Sequence, residues 1–167
     1  MSKSKKNTID PETMIKEYGA DSVRWFILSD SPPEKDIQWS DTGVFSSNKF
    51  LQKIWNLNQT ILNRPETKKE EKEEKIFKEK INLYIYKIDS AIKNFQFNVG
   101  IAQFYEVYRY FNESVKSEIG TKTLKDNIIK IMKLMLPFTP HLAHECLLNL
   151  GCATTDKWPE IDEKVLE

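Results

Sequence analysis

The sequence has little glycine and proline, and very few cysteines and histidines. Its 167 residues include five glycines, seven prolines, two cysteines and two histidines. The prolines lie mostly outside the stretches with periodic apolar residues, and this favours helices over a fold of short strands and turns. The sequence therefore predicts a mainly α-helical protein with one domain, or one domain and a small appendage.

An excess of charge of one sign and long apolar runs are also absent. Lysine and arginine together number 25, as do aspartate and glutamate, so the formal net charge is zero. No global field therefore attracts nucleic acid or membrane, and a polyanion has to be met by local basic patches. Runs of about 18 apolar residues are absent, and the start lacks the apolar stretch of a signal peptide. We expect no membrane span and a cytoplasmic location, with an organellar matrix as the alternative.

The cysteines and histidines do not have the spacing of a metal site. Cys146 and Cys152 form no CxxC motif, so we expect reduced, core-type cysteines, with a disulfide or metal role as the alternative. His141 and His144 follow Pro140 with the spacing His-Leu-Ala-His. Their apolar neighbours favour a packed helix start over a metal site that would include Cys146. We therefore expect no metal.

Start and stop signals divide the first forty residues into two short helices. Asp10-Pro11 is a helix start, because Asp accepts hydrogen bonds from free amides and Pro lacks the amide that would be orphaned. Gly19 is a stop for this helix. Asp21 is predicted to cap the second helix, which ends before Pro32-Pro33.

Beyond Ser40 the apolar residues recur at helical spacing along much longer stretches. The first of these predicts a helix over residues 41–63, with Trp55 on its apolar face beside Leu51 and Ile54. The charged stretch from Arg64 to Lys80 is predicted to be a solvated linker that merges into the exposed start of the next helix. Successive wide apolar stripes predict an antiparallel helical bundle. The stripes are Phe50 to Leu62, Phe77 to Phe95, Ile101 to Phe111, Leu124 to Met135, and a short one from Thr139 to Gly151.

The first residues, "MSKSKKNTIDP", allow two interpretations. Lys3, Lys5 and Lys6 lie in a stretch with no apolar residue between Met1 and Ile9, so it is either a frayed basic terminus or a mobile phosphate-binding loop. The capped helix that follows ties the stretch to a folded platform and favours the loop. Ammonium groups on flexible stems can follow a developing negative charge.

These residues resemble the signature-loop region of class I aminoacyl-tRNA synthetases, and within them the leucyl-tRNA synthetases of the bacterial or organellar kind. The last four letters of the family's Lys-Met-Ser-Lys-Ser motif fall on residues 1–4, and we expect its first lysine before Met1. Ser46, His144 and Leu147 depart from the family pattern. Further matches are Ile9-Asp10-Pro11, Tyr18-Gly19-Ala20-Asp21, Arg24, Pro32-Pro33, Trp39-Ser40 with Gly43-Val44, "FNVGIAQFYEVY" from Phe97, "LMLPFTPHLAHECLLNLG" and Trp158-Pro159.

The resemblance implies a fold and a site. The fold is an antiparallel helical bundle of the class I anticodon-binding type, preceded by a small connecting section. The implied division is residues 1–40 for the loop and connecting section, 41–152 for the bundle and 153–167 for an extension toward a further domain. Lys3 would be the catalytic, ATP-binding lysine, with Ser2 and Ser4 as supporting loop residues. Mg²⁺ would accompany ATP in the parent enzyme, and we expect this chain to bind neither stably.

The implied activity is leucine–tRNA ligation by a longer parent protein. Leucine and ATP would be bound by a nucleotide-binding domain, whose His-Ile-Gly-His motif this chain does not contain, and tRNA(Leu) by the bundle. We expect the isolated chain to be monomeric and inactive. The alternatives are a valyl, isoleucyl or methionyl enzyme, and a non-catalytic helical interaction module. Candidate tRNA contacts, each of which could instead be a plain solvated side chain, are Lys49, Lys53, Arg109, Lys116 and Lys130.

Overall fold

The computed structural model describes residues 8–67, 71–152 and 157–165, and no strand occurs among them. The prediction of a mainly helical fold is confirmed. No helix in these ranges is long and apolar enough to cross a membrane. The elements are α1 (Pro11–Tyr18), α2 (Ala20–Asp30), α3 (Asp41–Leu62), α4 (Glu71–Lys93), α5 (Phe97–Ser114), α6 (Thr121–Met135), α7 (Pro140–Asn149) and a 3₁₀ turn at Glu163–Val165.

Helix α1 begins at the predicted cap. The Asp10 carboxylate accepts hydrogen bonds from Glu12 N at 3.1 Å and Thr13 Oγ1 at 2.8 Å. These two bonds, that from Thr13 first, lower the pKa of the Asp10 carboxyl. At the other end Gly19 has φ +81°, a conformation that L side chains rarely adopt, and this lets α2 start directly after α1.

The prediction that Asp21 caps α2 is wrong. Helix α2 begins at Ala20 with Gly19 as its N-cap residue, and no side chain caps it. Because the reversal at Gly19 starts the helix one residue earlier, Asp21 lies in the first turn. Its carboxylate points at the start of α7 instead, where it accepts from Leu142 N at 2.7 Å.

Helices α2 and α3 pack closely at the start of α3. Ser40 caps α3 by accepting from Gly43 N at 3.1 Å. A Cβ on Gly43 would lie 2.5 Å from Cε2 of Phe26, so only glycine allows this approach without a shift. The Trp39 ring packs edge-on against Phe26, 5.4 Å between centroids, and its Nε1 donates to Asp41 Oδ1 at 2.7 Å.

The core joins α2 to the bundle. Trp25 of α2 is fully buried, and its ring centroid lies 5.4 Å from that of Phe50, 5.7 Å from Phe104 and 6.1 Å from Phe138. These partners come from α3, α5 and the α6–α7 connection. Trp55, predicted on the buried face, is only half-buried at the edge of the core.

The charged segment after α3 is not simply a solvated linker, because two of its residues hold the connection between α5 and α6. The Arg64 guanidinium donates to the carbonyls of Val115 at 3.1 Å, Ser117 at 2.8 Å and Ile119 at 2.6 Å. The buried Glu74 carboxylate accepts from Gly120 N at 3.2 Å. The cationic Arg64 therefore binds carbonyl oxygens of the α5–α6 connection, and the anionic Glu74 binds one of its amides.

The described part of the C-terminal extension lies along α4. The Nε1 of Trp158 donates to Asp89 Oδ1 at 2.9 Å. Asn82 exchanges two hydrogen bonds of 2.9 Å with the backbone of Asp162. These contacts hold residues 157–162 against the bundle.

Candidate nucleic-acid interface

The predicted phosphate-binding residues Ser2, Lys3 and Ser4 lie outside the described residues. The sequence also predicts poor order for residues 1–8, because the loop's partners, ATP and the nucleotide-binding domain, are absent; all of these residues except Thr8 lie outside the described ranges. The first residue that the structure describes is Thr8, two residues before the Asp10 cap of α1. The platform that would carry the loop is therefore α1 and α2.

Two of the candidate contact lysines lie on α3. Lys49 and Lys53 are exposed and one helical turn apart, on either side of Phe50 in sequence. The Phe50 ring packs against α5, 4.1 Å from the centroid of Tyr105 and 5.7 Å from that of Tyr108. The Lys49 ammonium lies 4.5 Å from the centroid of Phe45.

Two further candidates belong to α5 and the residues after it. Arg109 is exposed and its Nη1 lies 3.4 Å from Oε2 of Glu106, one turn earlier. Lys116 is exposed between Val115 and Ser117, the residues whose carbonyls Arg64 binds, so its backbone is held in place. We call Lys49, Lys53, Arg109 and Lys116 the α3/α5 cations.

Lys130 lies elsewhere. It lines an open groove of about 810 Å³ between α4 and α6. Carboxylates share this groove, among them Glu79, Asp126 and Asp162. Three further lysines also line the groove, but its five carboxylates outnumber its four lysines and repel phosphate, so the surroundings of Lys130 suit a polyanion less well than those of the α3/α5 cations.

An exposed aromatic side chain outside the predicted contact set lies on α5, one helical turn before Arg109. Tyr105, predicted as part of an apolar stripe, is 40% exposed. Its hydroxyl accepts from Nε1 of the buried Trp25 at 3.3 Å. Exposed tyrosine next to cations is a common feature of nucleic-acid surfaces, because its ring can stack on a base. No sequence signal distinguishes it from the buried members of the stripe.

The connection between α6 and α7 receives polar partners of both charges from α2. The Arg24 guanidinium donates to the carbonyls of Pro137 at 2.6 Å and Phe138 at 3.0 Å. The Asp21 carboxylate accepts from the amides of Leu142 at 2.7 Å and His141 at 3.4 Å. We call Asp21 and Arg24 the α2 clamp. Both positions fit the family pattern, but the sequence alone indicates no such role for them.

His141 lies at the start of helix α7, as predicted, but its side chain is not packed. The His141 side chain is 78% exposed and its Nδ1 lies 2.9 Å from Asp21 Oδ1, while His144 is also exposed. At the start of α7 the first turn faces solvent, which explains the difference. Cys146 is buried, and burial raises the pKa of its thiol to about 12. In the described part of the chain no three His, Cys, Asp or Glu side chains group as metal ligands would.

Comparison with known families explains this arrangement. Residues 74–167 match the family model described as the anticodon-binding domain of tRNA ligase. The chain belongs to this family. Residues 1–40 match a second model, that of class I tRNA synthetases for isoleucine, leucine, methionine and valine.

Individual relatives of this anticodon-binding chain point to leucine. It is 37% identical to the leucine–tRNA ligase of Ruegeria pomeroyi over 169 residues, which are 99% of this chain and 19% of the relative. It is 39% identical to that of Rickettsia bellii over 171 residues, which are 100% of this chain and 20% of the relative. The resemblance to leucyl-tRNA synthetases is therefore confirmed, and the chain spans about a fifth of the length of these relatives.

A solved structure shares the fold over the whole chain. It is the ternary complex of Agrobacterium radiobacter K84 agnB2 LeuRS with tRNA and LeuAMS. The likeness has a TM-score of 0.88 and 25% identity, and it covers 100% of this chain and 23% of that one. The prediction of an anticodon-binding-type helical bundle is confirmed.

Proposed function

We propose that this chain is the part of a leucine–tRNA ligase that supplies a phosphate-stabilising loop and a tRNA-supporting helical bundle. The complete enzyme activates leucine with ATP and transfers it to tRNA(Leu). The observation that carries the proposal is the likeness to leucine–tRNA ligases along the entire chain, at 37–39% identity. Residues 1–40 serve as loop and connecting section, 41–152 as bundle and 153–167 as the lead into a further domain.

The loop would act on ATP through Lys3, with Ser2 and Ser4 in support. When the leucine carboxylate attacks the α-phosphorus, negative charge grows on the leaving pyrophosphate. A cation placed there, together with the Mg²⁺ that accompanies ATP, stabilises the transition state more than the bound substrates. Helix α1, whose start is fixed by the Asp10 cap, provides the anchored end of the loop.

The bundle would support tRNA(Leu) through the α3/α5 cations. Their ammonium and guanidinium groups neutralise phosphates, and this gives affinity without sequence reading. The exposed ring of Tyr105, one helical turn before Arg109 on α5, offers a stacking surface. Lys130 remains a weaker candidate, because carboxylates line its groove.

The test uses a full-length ligase that contains this chain. We expect ATP–pyrophosphate exchange with leucine, and none above background with valine, isoleucine or methionine. Lys3→Ala should lower the turnover of exchange while the KM for leucine stays within about twofold, because its cation meets charge that develops in the transition state. Normal turnover in this variant would remove Lys3 from the mechanism.

The isolated chain gives a second test. It lacks the domain that positions the α-phosphate against the carboxylate, and loop lysines cannot replace positioning worth about 7–11 kcal/mol. We therefore expect no leucyl-adenylate from this chain alone. Exchange above background by the isolated chain would contradict the proposal.

A further inference from the structure

We propose that the α2 clamp, Asp21 and Arg24, sets the position of the signature loop for adenylate formation. The two residues would be positioning residues, because they touch the bundle and not the substrates. This inference rests on the function proposed above and assigns the clamp a part in it. Its basis is that backbone amides and carbonyls of the α6–α7 connection form hydrogen bonds with these two α2 side chains.

The start of α7 depends on α2 for its cap. Its own N-cap residue, Thr139, makes no capping bond, and the Thr139 hydroxyl is buried without a hydrogen-bond partner. The Asp21 carboxylate, only 12% exposed, takes over by accepting from the amides of Leu142 and His141. A helix start that lacks a local cap is thus completed by a side chain about 120 positions earlier in the sequence.

Arg24 performs the opposite task one helical turn later on α2. Its guanidinium binds the carbonyls of Pro137 and Phe138, which follow the end of α6. The Asp21 carboxylate and the Arg24 guanidinium, both on α2, therefore bind the amides and the carbonyls of the same connection. Sliding or rotation of α2 would break both the bonds from the amides to Asp21 and the bonds from Arg24 to the carbonyls. The pair therefore resists either movement.

The position of α1, from which the loop would extend, depends on that of α2. Gly19 is the only residue between α1 and α2, and Asn48 of α3 donates to the carbonyl of Tyr18 at 3.0 Å and to Ser22 Oγ at 3.1 Å. Helix α1 in turn carries the Asp10 cap, six residues after Ser4. The clamp therefore helps to fix α1 and its Asp10 cap, from which the loop would extend.

The experiment uses a full-length leucine–tRNA ligase that contains this chain, and compares Asp21→Asn and Arg24→Gln with the unaltered enzyme. We expect exchange turnover to fall about tenfold or more, because small displacements of a reacting group are costly, while the KM for leucine stays within about twofold. Arg24→Lys should restore part of the turnover, since it keeps the charge and can donate to one carbonyl, although it lacks the planar fork that binds both. Lys16→Gln, which removes an exposed partner of Glu12 on α1, is the matched control and should leave turnover unchanged.

Two further readouts separate positioning from loss of stability. Assays run well below the melting temperature of each variant keep it folded, and hydrogen exchange of the Leu142 amide should accelerate in Asp21→Asn but not in Lys16→Gln. Normal turnover in both clamp variants, or a fall that the melting temperature accounts for, would overturn the inference. If the unaltered enzyme does not exchange with leucine, the proposed function fails instead.

Discussion

Arg64 shows how much of the bundle's shape one side chain can determine. Its guanidinium binds the carbonyls of Val115, Ser117 and Ile119, and also the hydroxyls of Thr67 and Thr121 at 3.2 and 3.0 Å. The planar, always charged group provides several donors in fixed directions, which lysine cannot match. The irregular backbone between α5 and α6 is therefore stabilised from outside by a residue that follows α3.

Replacement of Arg64 by methionine should be costly. We expect the free energy of unfolding to fall by about 2–4 kcal/mol, because bonds from a charged donor contribute about 1.5–3 kcal/mol each and do not add fully. Arg109→Met is the matched control, since Arg109 is 68% exposed and pairs with a surface glutamate. It should change stability by less than about 0.5 kcal/mol. Urea denaturation of the two variants measures the difference, and equal decreases in stability would refute this account of Arg64.

Trp25 and Trp55 are buried to different extents, so the same substitution at both positions shows how burial affects stability. Trp25 is fully buried among four aromatic rings, whereas Trp55 is half-buried at the core edge. We expect Trp25→Ala to lower the free energy of unfolding by about 3–5 kcal/mol. Trp55→Ala should cost about 1–2 kcal/mol, because less apolar area returns to water. Denaturant midpoints measured side by side would count against the assigned burial if the order were reversed.

At the scale of elements, the helix ends differ in where their caps come from. Helices α1 and α3 are capped by the residue before them, Asp10 and Ser40. Helices α6 and α7 have no local side-chain cap, and the nearby carboxylates of Glu74 and Asp21 accept from the amides at their starts. The later helices of the bundle therefore depend on interactions with the earlier ones.

Glu74 tests this dependence at α6. Its Oε1 accepts from Gly120 N at 3.2 Å and from Thr123 Oγ1 at 2.8 Å. Glu74→Ala should lower the free energy of unfolding by about 1–3 kcal/mol, because buried groups of the first turn lose their acceptor. Glu79→Ala, at an exposed position of the same helix, is the control and should have an effect below about 0.5 kcal/mol. Unchanged hydrogen exchange at the Gly120 amide in Glu74→Ala would show that the cap does not matter.

The sequence predicts the elements well and the contacts between them poorly. The start of α3 after Ser40 and the stop at Gly19 follow from local chemistry, and both are observed. The partners of Asp21 and Arg64 are not local, since they lie some 50 to 120 positions away. Spacing reports which face of a helix is apolar, but not which distant backbone group a charged side chain will reach. For that reason Arg64 resembles a linker residue in the sequence, and Asp21 resembles a cap of its own helix.

At the scale of the whole molecule, a zero net charge hides an uneven distribution. The Lys49 ammonium lies 4.5 Å from the centroid of the exposed Phe45 ring, and Arg109, paired to Glu106, lies one helical turn after the exposed Tyr105. The groove between α4 and α6 mixes lysines with carboxylates, which offset one another at short range. A polyanion should therefore bind to one side of the bundle, even though no net attraction draws it toward the molecule.

Salt dependence can locate that side in a full-length ligase that contains this chain. Removal of one phosphate-neutralising cation should reduce the slope of log K against log salt for tRNA(Leu) by about 0.7–0.9, because fewer counterions are released. Changing the α3/α5 cations together to glutamine should thus lower the slope by about 3, whereas Lys130→Gln should lower it by less than about 0.7. Lys16→Gln, which removes an exposed ion pair to Glu12 on α1, away from both surfaces, serves as the matched control. Equal slopes for the fourfold variant and the unaltered enzyme would place the tRNA elsewhere, and a large change in Lys130→Gln would move it to the α4/α6 groove.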